Sequence, residues 1–109
     1  QGGGDFSSLH NYFFGLFIRP ERKRASALSE YGGYSYPISG HTACEKQYGY
    51  GACKTREELN KRCTERADKM RELISEGLCA SVYTQWSDIE EEVNGVYTYD
   101  RKIRKIDRV

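Results

Sequence analysis

The run TREELNKRCTERADKMRELISEGLCASVYTQW, residues 55–86, sets two kinds of periodicity back to back. Its first part is helical. Thr55 and Glu58 form the T-x-x-E capping box of a helix start. Leu59, Cys63, Ala67, Met70, Leu73 and Ile74 then recur at helical spacing and make one apolar stripe. Glu57 with Lys61, Glu58 with Arg62 and Glu65 with Lys69 are i, i+4 pairs for the wet faces, and Gly77 supplies a stop. The pattern predicts a one-sided helix over 56–76. LCASVYTQW, at 78–86, lacks the alternation of a half-exposed strand and predicts a short strand covered on both faces.

Upstream, RASALSE at 24–30 reads as a second strand of the same kind. The order strand, long loop, helix, strand is the βαβ crossover of a parallel sheet. DFSSLHNYFFGLF, at 5–17, predicts an earlier strand with His10 and Tyr12 on one face, followed by the polar connector RPERKR. Residues 35–54 make a long loop rich in Gly and Tyr, and loops of that length are often functional. In VNGVYTYDRK, at 93–102, Asn94-Gly95 between β-prone residues predicts a tight hairpin. No internal repeat or low-complexity tract is present.

Bulk composition bounds the answer. The 109 residues allow one small domain or a piece of a larger one, and 38% apolar content makes a thin core. A net charge of +1, from 17 basic and 16 acidic residues, lacks the footprint of a nucleic-acid or generic membrane binder. No apolar run has the length of a membrane-spanning helix, and no signal-peptide pattern is seen. The start QGGGD suggests either a cut through a longer protein or an expression scar. Cys44, Cys53, Cys63 and Cys79 contain no C-x-x-C pair, so a metal site is not expected. They fit reduced, space-filling thiols in a cytoplasmic protein better than two disulfides.

The chemistry concentrates in SEYGGYSY, at 29–36. Glu30 lies near the end of its strand, where the sites of βα folds gather. A glycosidase nucleophile needs such a rigid strand tip, and slim neighbours such as Gly32 and Gly33 let a sugar approach. Tyr31 and the other flanking tyrosines offer stacking faces and hydroxyls. The plain alternative is a loop glutamate before an ordinary Gly-Gly turn. Elsewhere, DIEEEVNG (88–95) lacks the spaced oxygen ligands of a calcium loop and reads as a solvated acidic turn or a helix start. DRKIRKIDR (100–108) reads as a solvated, salt-bridged end, and His41 as a loop histidine.

ALSEYGGYSY (27–36), YGYGA (48–52) and VYTQWSDIEEEVNGVYTYDRK (82–102) together resemble the C-terminal part of the catalytic barrel of glycoside hydrolase family two. That family holds β-galactosidases, β-glucuronidases and β-mannosidases. The resemblance runs from LHNY to DRK. It implies that residues 1–109 are a partial (β/α)8 TIM barrel of the α/β class, roughly strands six to eight with their helices. It further implies a retaining hydrolase of β-linked carbohydrate, without cofactor, in which Glu30 is the nucleophile and Tyr12 hydrogen-bonds it. His10 shares the face of Tyr12, and either Tyr83 or Trp86 floors the sugar pocket. The family's acid/base is the glutamate of an Asn-Glu pair, and that dipeptide is absent here. The chain alone is therefore expected to be inactive, and to need the rest of the barrel or self-association to fold. The alternative is a non-catalytic remnant that binds carbohydrate or associates with itself.

Overall fold

The computed structural model describes residues 3–12 and 15–108. Phe13 and Phe14, part of the stretch expected to form the first strand, lie outside the described residues, as does Gln1. Four elements follow in order: β1 (Phe6–Asn11), β2 (Ala25–Gly32), α1 (Arg56–Ser75) and β3 (Leu78–Thr84). The strands form one parallel sheet in the order β1-β2-β3, so chain order and sheet order coincide.

The start of α1 forms as its sequence requires, with one difference. Thr55 Oγ1 accepts from the Glu58 N–H at 3.1 Å, but the Glu58 carboxylate reaches back to the N–H of Lys54, at 2.9 Å, one residue beyond the expected partner. The helix ends where Gly77 adopts a φ of 113°, a conformation that favours glycine. Leu59, Cys63, Met70 and Leu73 are buried, whereas Ile74, expected in the stripe, stands exposed.

Covering one face of the sheet, α1 makes two apolar clusters. In one, Met70 and Leu73 meet Leu28, Tyr31 and Leu78. In the other, Leu59 and Cys63 meet Cys53, Val96 and Ile106, so the C-terminal segment packs on the helix as well. Among the described residues the opposite face carries no helix. There Phe6, Ser8, Ala27, Ser29, Ala80 and Val82 surround a shallow apolar depression of about 340 Å³. Both β2→β3 and α1 thus follow the expected crossover, while β3, expected to be covered on both faces, is exposed from Cys79 to Val82.

Two expectations about the C-terminal third are corrected. Asn94-Gly95 is not a hairpin turn. The chain reverses instead at Ile89–Glu92, closed by bonds of 3.1 and 2.9 Å, and at Thr98–Arg101, with Glu90 and Arg101 at positive φ. Gly95 is required for a different reason: a Cβ there would lie 2.3 Å from the Ser87 and Asp88 backbone. Nor are the acidic turn and basic tail merely solvated. Lys105 is fully buried, and its ammonium donates to Asp88 Oδ1 at 2.6 Å and to the carbonyls of Tyr36 and Val93 at 3.0 and 2.9 Å. Asp88 Oδ1 also accepts the Gly95 N–H at 2.8 Å. Burial raises the carboxyl of Asp88 and lowers the ammonium of Lys105 from their ordinary values.

The four cysteines are free, Cys53 and Cys63 buried and Cys44 and Cys79 exposed. Burial pushes the Cys63 thiol up to about 11, which makes it inert filler rather than a nucleophile. No helix among the described residues is long and apolar enough to cross a membrane.

Candidate active site

A bulge in β2 sets the direction of Glu30. In β1, Leu9 pairs with Leu28, and the next residue, His10, pairs with Glu30, leaving Ser29 as the extra residue. The pairing with β3 shows the same insertion, because one residue of β3 lies opposite Ser29 and Glu30. In an unbroken strand, Leu28 and Glu30 would share a face. Leu28 and Tyr31 both pack under α1, so the bulge puts Ser29 and Glu30 together on the open face. Ser29 is held there by the Ser8 hydroxyl at 2.5 Å and by its own bond to the Leu9 carbonyl at 3.3 Å.

Around Glu30 the strand ends converge. The hydroxyl of Tyr12, just past the end of β1, donates to Glu30 Oε1. His10 Nδ1 lies 3.0 Å from Glu30 Oε2, with the imidazole largely exposed. Both carboxylate oxygens are therefore engaged, by two residues of one neighbouring segment. Burial, then the hydrogen bond to Glu30, pushes the Tyr12 phenol up to about 12, so it keeps its proton as a donor throughout the neutral range. The side chain of Thr84, the last residue of β3, also reaches the Tyr12 hydroxyl.

The glycines serve neighbours in the chain. A Cβ on Gly32 would lie 2.0 Å from the ring of Tyr12, and one on Gly33 would lie 2.6 Å from the Asn94 carbonyl. The space they leave is filled by Tyr12, Tyr83 and backbone, so the expectation that both make room for a sugar is corrected. Gly32 instead allows Tyr12 to lie over β2 and reach Glu30.

Of the remaining expected site residues, two are corrected. Tyr31 is buried under α1 beside Met70, and the same bulge that exposes Glu30 turns Tyr31 away from the open face. Tyr83 packs edge-on to Tyr31, ring centroids 5.5 Å apart, with its hydroxyl buried. Neither ring is available to a ligand above the sheet. Trp86 is 68% exposed, two residues beyond the end of β3, with its ring 5.0 Å from that of Tyr97. His41 pairs with Asp100 at 2.7 Å, and the Thr98 hydroxyl and then His41 hold that carboxyl well below the usual carboxylate range.

Three participants carried no role in the sequence reading. Tyr50, from the long loop, stacks on Tyr12 with centroids 5.1 Å apart. Its segment is tied down by Ser35, whose N–H and hydroxyl donate to the Tyr50 carbonyl at 2.9 and 3.0 Å. Thr84 is the second, and Gln85 the third. The Gln85 amide donates to Glu92 at 3.1 Å and to Asn94 at 2.8 Å, which ties the acidic segment to the end of β3. The repeated Tyr-Gly of YGYGA was the one visible signal for Tyr50. Among the described residues no group of three or more His, Cys, Asp or Glu side chains comes together to hold a metal ion.

Searches against protein-family models and curated protein sequences found no match for this chain.

Proposed function

We propose that this chain carries the nucleophile half of a retaining β-glycosidase, built as the last three strands of a (β/α)8 barrel. One observation carries the reading: Glu30 is turned by a bulge onto the open face of the central strand, with both oxygens held by Tyr12 and His10. A carboxylate fixed in this way is suited to attack an anomeric carbon. The leaving group departs, a covalent glycosyl ester forms on Glu30, and water then hydrolyses it. Tyr12 steadies the carboxylate and the developing charge, His10 offers a sugar hydroxyl contact, and Trp86 is the exposed aromatic for the floor of the pocket. The coincidence of chain order and sheet order, with a helix on one face only, also fits a barrel segment. On this reading the bare apolar face looks inward and is covered by the remaining strands, which also supply the general acid. That bare face equally supports the second reading, a self-associating remnant without catalysis.

Mechanism-based labelling separates the two. A 2-deoxy-2-fluoroglycoside forms a slowly hydrolysed ester with a retaining nucleophile. In the full-length protein carrying this chain, peptide mapping should place the label on Glu30. A label on another carboxylate overturns the assignment of Glu30, and no label with the fluoro derivatives of galactoside, glucoside, glucuronide or mannoside favours the remnant.

Tyr12→Phe keeps the ring and removes only its hydrogen bond. Losing one positioned donor lowers kcat by roughly 10²–10³. Gly32→Ala, whose Cβ would displace the same ring, should cause a comparable loss, and the double variant little more than either alone. A rate within threefold of wild type for Tyr12→Phe would make Tyr12 a packing residue only.

A further inference from the structure

The Tyr12–Glu30 pair lies at one end of a row of tyrosines. The ring of Tyr12 stacks on Tyr50, and Tyr50 meets Tyr48 edge-on with centroids 5.6 Å apart. The Tyr50 phenol is raised above its ordinary value, first by its hydrogen bond with Tyr48, so the two rings are joined by their hydroxyls as well. Tyr48 is 53% exposed, and beside it opens a groove of about 440 Å³ lined by Cys44, Lys46, Gln47, Tyr48 and Glu91.

This groove stands on fixed backbone. The Tyr48 N–H donates to the Glu91 carbonyl at 2.6 Å, and the Tyr48 carbonyl accepts from Val93 at 3.2 Å. The Gln47 amide donates to the Cys44 carbonyl at 3.0 Å. An exposed aromatic ring held in place is costly to leave wet and loses little entropy when it is covered. Its flanking groups are an ammonium, a carboxamide and a carboxylate, which together donate to and accept from hydroxyls. A flat apolar face rimmed by such groups matches a pyranose ring, whose C–H face is apolar and whose edge carries hydroxyls.

We propose that the Tyr48 groove is a second carbohydrate subsite, holding sugar units on the leaving-group side of the residue attacked by Glu30. This rests on the glycosidase reading and adds to it that the substrate is an oligosaccharide rather than a small aryl or alkyl glycoside. The row Tyr12, Tyr50, Tyr48 is then a continuous surface from the nucleophile to the outer units.

The test compares two substrates in the full-length protein. One is whichever 4-nitrophenyl β-glycoside it cleaves fastest among galactoside, glucoside, glucuronide and mannoside. The other is the β-linked trisaccharide of the same sugar. The readout is the ratio of kcat/KM for the trisaccharide to that for the aryl glycoside, so any common loss of folding or chemistry cancels. Tyr48→Ala should lower this ratio about tenfold, the scale of one lost contact in a binding pocket. Lys46→Ala, an exposed substitution that leaves the tyrosine row intact, should lower it in the same direction. An unchanged ratio in both variants, or a wild type that cleaves the aryl glycoside and not the trisaccharide, overturns the subsite and leaves the glycosidase reading standing. A wild type that cleaves none of the four aryl glycosides overturns that reading, and the subsite falls with it.

Discussion

Replacing Lys105 by Met should cost about 3–5 kcal/mol of stability, the usual penalty for leaving one member of a buried ion pair alone. The two side chains are 0% and 1% exposed, so water cannot replace the missing partner. Burial acts on both against the charged form, so each charge depends on its partner in the pair. Asp88 Oδ2 is already buried without a hydrogen-bond partner among the described residues, so the carboxylate has no reserve contact. The deficit should depend on pH. Without Lys105 the folded-state pKa of Asp88, already raised, rises further above the unfolded value of about 3.9. A carboxyl raised by folding contributes its stability at low pH and loses it as pH climbs through the folded value. The variant should therefore approach wild type in acid and fall behind it towards neutrality, as urea titrations at several pH values would show. The double variant Asp88→Leu/Lys105→Met should cost less than the sum of the two single changes, though the Gly95 N–H and the Tyr36 carbonyl lose their partner. A single variant as stable as wild type at pH 7 would mean that the segment opens and hydrates.

The elements were legible because periodicity reports burial directly. The stripe from Leu59 to Leu73 and the unbroken apolar runs around Ala27 and Ala80 place a helix between two strands without knowledge of any partner. The site was legible only in part. Position singled out Glu30 as a strand-end acid and alternation put His10 and Tyr12 on one face, while the pairing of Tyr12 with Glu30 came only from the family resemblance. The face of Glu30 depends on a bulge at Ser29, and nothing in the dipeptide Ser-Glu announces an extra residue in one strand. That single insertion is also why Tyr31 was expected at the mouth and lies under the helix instead.

Longer-range pairings were illegible for a related reason. Lys105 sits in a tail that looks solvated, and its partner is 17 residues away in an equally charged segment. Charge content alone cannot tell a buried pair from two wet ends. The glycines mislead in the same way. Gly32, Gly33 and Gly95 each mark a close approach, but a sequence does not show whether the approaching group is a ligand, a tyrosine ring or backbone. The Tyr12 ring over Gly32 needed the fold to bring residues 12 and 32 together.

If the proposed glycosidase reading holds, removing the carboxylate itself has the largest effect on activity. Glu30→Ala in the full-length protein should lower kcat by about 10⁴–10⁶, the loss found when a member of a covalent catalytic unit is deleted. The fold should survive, because the side chain is partly exposed and its partners, Tyr12 and His10, sit at the strand ends rather than in the core. On the glycosidase reading, the deletion opens a space on the face where the anomeric carbon would be attacked. A small anion such as azide can enter it and attack the carbon in place of the carboxylate. One substitution then replaces two, the leaving group departs as before, and the glycosyl azide carries the inverted anomeric configuration. With an activated aryl β-glycoside, azide should restore turnover and yield the α-glycosyl azide, identifiable by NMR coupling constants. Rescue that gives the β-azide would mean that another group still forms the covalent intermediate. Activity within tenfold of wild type without azide would show that Glu30 is not the nucleophile, and the bulge at Ser29 would then have to be explained by packing alone.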